Sequence, residues 1–383
     1  MNMTSLILFG LAALFLLVAQ HPFITYKMSL RLFRRHALVT PDPSLARPSL
    51  SVCMCAYREE PVIAMRLENL LAMTEAYGGA EVLVYVDGSD DRTAEIALTY
   101  EPRIKVIVSS VRTGKTAGMK RLVAMAKGKL ITCTDANVLG EADALVKMAE
   151  RFQDPTIGCV SAKLAYVNRA TTQTANSGAI YWEVEEGLKR IESETVGLIG
   201  VDGALFMIRA EAYRDAPDEL IDDLYVSLSV LKQGLRVISD PDVVVTEKSA
   251  EDWREEFRRK RRISCQGMVL HLRTWSQWRT LPFPQAYGYV SHRLLKWLIP
   301  FTASLGGLFL ALGLVVQFGP LWVALITLAG AAALLGLALV KFRPARLLTI
   351  YLAMLAAVGT GVIEALLLNR TYQTWAPAAS VRD

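Results

Sequence analysis

Three short stretches carry the side chains best suited to chemistry. EVLVYVDGSDD ends an apolar run on Asp87, KLITCTDAN ends another on Asp135, and RTGKTAGMK sets Lys115 between Gly114 and Thr116. A carboxylate at the carboxyl end of a strand, close to the start of a helix, can hold a base, a ribose hydroxyl or a metal bound to diphosphate. Asp87, Ser89 and Asp90 can also be read as a turn that caps the next helix. For Asp90 and Asp91 both readings stay open. Asp87 and Asp135 end two strands that face one cleft, which points to binding. Gly114 to Thr116 do not complete a phosphate loop of the Walker type, because Ser109 stands where its first Gly belongs. Lys115, at a helix start, can still meet a diphosphate.

The elements that must position these residues alternate. From Leu50 the pattern predicts a strand (LSVCMCAY), a helix over 62–76, a strand over 81–87, a helix over 92–100, a strand (RIKVIVS), a helix over 116–127 and a strand (KLITCTD). Apolar, β-rich runs separated by helical periods indicate a mostly parallel sheet covered on both faces. Ligands of such sheets bind beyond the carboxyl ends of the strands. That rule selects residues 56–59, 87–91 and 135–137.

Outside this core the chain is oily. Its 383 residues are 52% hydrophobic and its mean hydropathy is +0.30, too apolar for a purely soluble protein. Residues 5–26 form a run long enough to span a bilayer, which takes about 20 apolar residues. Three more runs lie at 295–317, 320–340 and 346–368, the first two joined by a tight hairpin at Gly319 and Pro320. A cleaved signal peptide fits the first run less well, since no positive segment precedes it and no small-x-small site follows. Lys27, Arg31, Arg34 and Arg35, then Arg273, Arg293 and Lys296, then Lys341, Arg343 and Arg346 flank the runs and belong on the cytosolic side. A four-span chain with both termini outside satisfies them and leaves 27–294 in the cytosol of a cell (inner) membrane protein. The net charge of +5 is thus juxtamembrane, and a nucleic acid polymer is not an expected partner. Cys53, Cys55, Cys133, Cys159 and Cys265 have neither disulfide nor zinc spacing.

The expected organisation is a transmembrane helix (1–26), a basic linker (27–47), an α/β domain (48–275), an interfacial segment too broken to span (276–294), three transmembrane helices (295–369) and a tail (370–383).

SVCMCAYREE, VYVDGSDD, RTGKTAGMK, TDAN, VDGALFMIR and IDDLYVSL, in this order and spacing, resemble the family 2 inverting glycosyltransferases of the cellulose synthase and hyaluronan synthase branch. The resemblance covers about residues 48–275. It implies a GT-A (Rossmann-like, nucleotide-diphospho-sugar transferase) fold, a nucleotide-sugar donor, expected to be UDP-linked, and Mg2+ or Mn2+. By the same resemblance Ala56, Tyr57 and Glu59 line the nucleoside pocket, Asp87 contacts base or ribose, and Lys115 meets the diphosphate. Asp135 matches the first Asp of the DxD metal motif, and Asn137 replaces the second, offering an oxygen without charge. Asp223 matches the last Asp of the TED motif and takes the role of general base, with Asp222 beside it open to an N-cap reading. Asp202 and Gly203 match the floor of the acceptor loop, and Glu183 lies on a helix that runs under it. Glu183, Glu185 and Glu186 can equally form a solvated helix face.

The QxxRW motif departs most. Arg259 stands for its Gln and Ile263 for its Trp, while Arg262 remains to bind diphosphate. Pairs such as Glu255 with Arg259 and Glu256 with Lys260 account for some charges of this run. The implied activity is transfer of sugar to a polysaccharide or cell-surface glycan, with a membrane lipid as alternative acceptor, and an oligomer or export partner if polymer is secreted. A non-catalytic membrane scaffold of the same fold is the rival from another class. A transporter fits poorly, because Glu364 is the lone acid within the runs.

Overall fold

The computed structural model describes residues 2–374 and 379–382; the expected tail, 370–383, lies partly outside them. The chain divides into two compact units.

The larger unit holds residues 30–252, 269–288 and the described part of 371–383. Its sheet contains β1 (Leu50–Ala56), β2 (Glu81–Asp87), β3 (Lys105–Ser109), β4 (Leu130–Thr134), β5 (Leu139–Gly140), β6 (Ile157–Tyr166), β7 (Leu205–Arg209) and β8 (Arg236–Glu247), in the order β3-β2-β1-β4-β7-β6-β8-β5. The first four strands pair in parallel, as the alternating pattern requires. β7 then runs antiparallel between β4 and β6, so the chain at Gly203 and Ala204 arrives beside Asp135. β1, β2 and β4 are buried almost throughout, which explains their continuous apolar runs.

Helices cover both faces. On α3 (Ile63–Tyr77), Ile63, Leu67, Leu70, Met73 and Tyr77 face the core, and Gly78 ends the helix in the left-handed region at φ +98°. The next is α4 (Thr93–Leu98). α5 (Lys115–Met125) lies close on the sheet because Gly118 has no side chain. A Cβ there would come 2.6 Å from the Tyr85 ring and 2.8 Å from Cys55 Sγ. α6 (Ala144–Glu150), α7 (Gln173–Glu194) and α8 (Asp222–Lys232) complete the layers. Thr172 caps α7, its hydroxyl accepting from Ala175 N at 3.1 Å.

In the smaller unit, α1 (Met3–Gln20) packs on α11 (Leu295–Phe318), with α12 (Pro320–Leu339) and α13 (Arg343–Leu368) beside them. Gly306 and Gly313 open the seats of Leu16 and Phe9 on α11. Phe15 stacks on Phe309 at 5.6 Å. Gly319 at φ +88° turns the chain into Pro320, the first residue of α12. Four helices here are long and apolar enough to cross a membrane. Glu364 is 3% exposed and pairs with Arg261 and with Arg370 (3.0 Å), as an acid in an apolar helix must.

Two expectations change. The first apolar helix ends at Gln20 rather than at 26, because Pro22 cannot donate to the ladder, and α2 (Thr25–Ser29) starts anew. Segment 276–294 is interrupted at 279–282 but helical on either side. α9 (Trp253–Trp278) enters it, α10 (Phe283–Gly288) follows, and residues 289–294 form a π-helix. Pro282 and Pro284 lie at the start of α10, where no N–H is required.

Arg151 donates from Nε to Asp240 Oδ2 at 2.6 Å, and that carboxylate is fully buried. Arg151→Ala therefore leaves an unpaired buried charge and lowers the unfolding free energy by about 3–5 kcal/mol in denaturant titration. Asp242→Ala, at the exposed edge of the same pair, changes it by less than about 1 kcal/mol.

Candidate active site

The loops beyond the parallel strands form one rim. At the end of β2, Asp87 is 4% exposed and its two oxygens accept from Thr113 N (2.6 Å), Thr113 Oγ1 (2.9 Å) and Gly114 N (2.8 Å). The acid thus holds the loop that opens α5 and fixes where Lys115 begins. The turn reading describes its neighbours: Asp90 pairs with Arg58 at 2.5 Å on the surface, and Asp91 accepts from Ser89 Oγ and from Thr93 N.

After β1, Ala56 is buried and Tyr57 is half-buried with the Arg112 guanidinium 3.5 Å over its ring. Glu59 is 5% exposed and meets the guanidinium of Arg382 in a two-point pair. Burial raises the Glu59 carboxyl above its ordinary range, and Arg382 opposes that rise. Gln373, in the same unit, donates to Thr113 O at 3.3 Å.

Lys115, Asp135 and Asp223 come together around Gly203. Lys115 Nζ lies 2.6 Å from Asp135 Oδ1. A Cβ on Gly203 would fall 2.5 Å from Lys115 Nζ, 3.2 Å from Asp135 Oδ2 and 3.3 Å from Asp223 Oδ2. Glycine therefore lets one cation and two carboxylates close in over the bare backbone, in space that a side chain would contest. Asp222, buried behind Asp223, shares the first turn of α8 with it, where the helix N-terminus favours negative charge. Ile221, not Asp222, is the N-cap residue.

The charges here are strongly linked. Burial and the neighbouring Asp222 push the Asp223 carboxyl up to about 7, against the pull of Lys115 and of Leu224 N. Burial alone would lower Lys115, but Asp135, Asp222 and Asp223 outweigh it and hold the ammonium well above its usual value.

Asp202 is tied from below. Lys189, 2% exposed, sits 2.8 Å from Asp202 Oδ2 and 2.5 Å from Glu186 Oε1. Glu183 does not join them. It is exposed and pairs with Arg169 at 2.5 Å, whereas Lys189 and Glu186 are the α7 residues tied to Asp202. The i,i+3 spacing of Glu186 and Lys189 was the available signal. Asn137 is half-buried in the loop after Asp135. Among the described residues no three His, Cys, Asp or Glu side chains are grouped closely enough to hold a metal by themselves. Arg262 belongs to the other unit, where it donates to Gln266 at 3.0 Å. On the same helix Glu256 pairs with both Arg259 (3.2 Å) and Lys260 (3.6 Å).

A family model described as "Glycosyltransferase like family 2" matches residues 48–266. An N-acetylglucosaminyltransferase of Rhizobium sp. (strain N33) is 24% identical over 214 residues, 51% of this chain and 48% of its own length. A poly-beta-1,6-N-acetyl-D-glucosamine synthase of Staphylococcus aureus (strain COL) is 23% identical over 220 residues, 55% of this chain and 53% of the relative. The chain thus spans about half the length of these curated relatives. The mannosyltransferase PcManGT from Pyrobaculum calidifontis, solved in complex with GDP-Man and Mn2+, superposes with a TM-score of 0.72 at 21% identity, over 95% of this chain and 100% of that one. The fold is GT-A-like, with an N-terminal and several C-terminal apolar helices. The chain belongs to glycosyltransferase family 2.

Proposed function

We propose that the enzyme moves a sugar from a nucleotide-sugar donor to a polysaccharide or cell-surface glycan, with inversion and with a divalent ion, at the cytosolic face of the cell membrane. One observation carries this reading: Lys115, Asp135 and Asp223 converge over Gly203. A cation set beside acids suits a sugar diphosphate on one side and an acceptor hydroxyl on the other. The homologues named for N-acetylglucosamine make that sugar the first donor to try, UDP-linked, with GDP-mannose second.

Each residue has a task that its position supports. Asp223, a carboxylate raised to about 7, takes the acceptor proton as general base. Lys115, at the N-terminus of α5, meets the diphosphate together with the backbone N–H groups of the first turn. Asp87 acts through the loop it holds. Tyr57 and Glu59 border the nucleoside. Asp202, braced by Lys189, floors the acceptor side beside Gly203. Arg262 is assigned to the diphosphate on the family motif alone.

The metal would be held by Asp135 and Asn137. Their oxygens suit Mg2+ or Mn2+, ions commonly bound by one or two protein groups plus substrate phosphates. When bound, the ion neutralises charge on the departing nucleoside diphosphate.

The basic residues flanking the apolar helices support a cytosolic domain. A lipid acceptor is the second reading, favoured by the loss of Trp at Ile263. Four spans are few for a secretion pore, so polymer export calls for a second copy or a partner.

Detergent-purified protein with Mn2+ and radiolabelled nucleotide sugars should transfer or hydrolyse at least one donor. Asp223→Asn lowers turnover by about 10²–10⁴-fold. If no donor reacts, or Asp223→Asn is as active as the wild type, the proposal fails. Sizing the product separates polymer from glycolipid. Because the base must be ionised, the wild-type rate rises with pH through about 7 and levels above it, and the residual rate of Asp223→Asn lacks that step. Gly203→Ala places a methyl against the Lys115 ammonium, displaces it and costs about 10²-fold in turnover, with little change in the unfolding midpoint because the far end of a flexible side chain gives way.

A further inference from the structure

One buried cation has no task in that scheme. Arg66, on α3, is 1% exposed. It donates from Nη1 to Asn69 Oδ1 at 2.8 Å and from Nη2 to Thr134 Oγ1 at 2.5 Å, while its Nε is buried without a hydrogen-bond partner. No carboxylate among the described residues touches it, and burial pulls its guanidinium below the usual value; the charge that pushes back is that of Asp135. A buried cation so poorly compensated is expensive, and a methionine of similar volume would serve the core better.

What Arg66 touches leads to the site. The Thr134 hydroxyl donates to Ala204 O at 2.6 Å, the carbonyl that also accepts from Asp135 N at 3.3 Å. Three residues along α3, Asn69 pairs with the Gly140 peptide in both directions: Nδ2 donates to Gly140 O at 2.8 Å, and Gly140 N donates to Asn69 Oδ1 at 3.0 Å. Arg66 and Asn69, bonded to each other on one helix face, thus grip both ends of the loop that carries Asp135 and Asn137.

We propose that Arg66 and Asn69 are positioning residues: a two-point clamp on residues 134–140 that presents Asp135 and Asn137 to the donor, with the Arg66 charge fixed behind Asp135 when Lys115 turns to the diphosphate. The reason for the clamp rests on the proposed function; the clamp itself does not. An acidic loop beside two other carboxylates is repelled from its own site. A buried cation beneath the loop holds it there without entering the space over Gly203.

Hydrogen exchange on the full chain in detergent tests this, with peptides covering residues 134–140 compared against β1. In Arg66→Met and Asn69→Ala, exchange at 134–140 speeds up about tenfold while β1 is unchanged, and Arg66→Lys stays near the wild type. Turnover of Arg66→Met falls about tenfold or more, and its half-saturating Mn2+ concentration rises about threefold, which Arg151→Ala, a global destabiliser, does not reproduce. Unchanged exchange at 134–140, or exchange raised equally in β1, overturns the clamp even if the enzyme is active. Faster exchange confined to the loop upholds it even if no donor is ever found. Should Arg66→Met not fold, Asn69→Ala and Thr134→Val decide by the same exchange pattern.

Discussion

A single ammonium group sets the terms on which this site exists. Lys115 stands against Asp135, Asp222 and Asp223, and without it three acids would be pressed together at one half-buried sheet edge. The backbone is arranged to keep that cation where it is: Asp87 seizes the loop in front of it, and Gly203 yields the space its side chain needs. On the proposed function, donor phosphate would compete with Asp135 for Lys115, and Asp135 would then be available to a divalent ion. The raised proton affinity of Asp223 comes first from its burial and then from Asp222 beside it, with Lys115 pulling the other way.

Much of this was readable in the chain. Strand-end acids after apolar runs located the rim, because a parallel sheet must put its loops, and hence its soluble chemistry, at one edge. Asp87 shows the limit of that rule. The sequence placed it correctly but could not tell a residue that touches substrate from one that holds a neighbouring loop, since both demand an acid at a strand end. Glu183 shows another. A helix of period 3.6 offers several acids, and only contact with Lys189 selects Glu186.

Arg66 and the second half of the sheet were beyond reach for different reasons. An Arg among Leu and Met on a helix reads as a surface residue, and its burial is visible only once β4 lies beneath it. The meeting of β7 with β4 joins residues about seventy positions apart in antiparallel register, a pairing for which local periodicity has no signal. Pro282 and Pro284 mark both things at once: the chain leaves its helix at 279–282 and a new helix starts at Phe283.

The packing of α1 on α11 has an implication of its own. Leu16 and Phe9 settle into notches made by Gly306 and Gly313, so the amino-terminal helix is a shaped component and not merely a tether. A chimera in which residues 3–20 were exchanged for an unrelated hydrophobic anchor of equal length would still reach the bilayer, but two ridges would lose their grooves. Homologues that swap this helix should therefore change the glycines of its neighbour in concert.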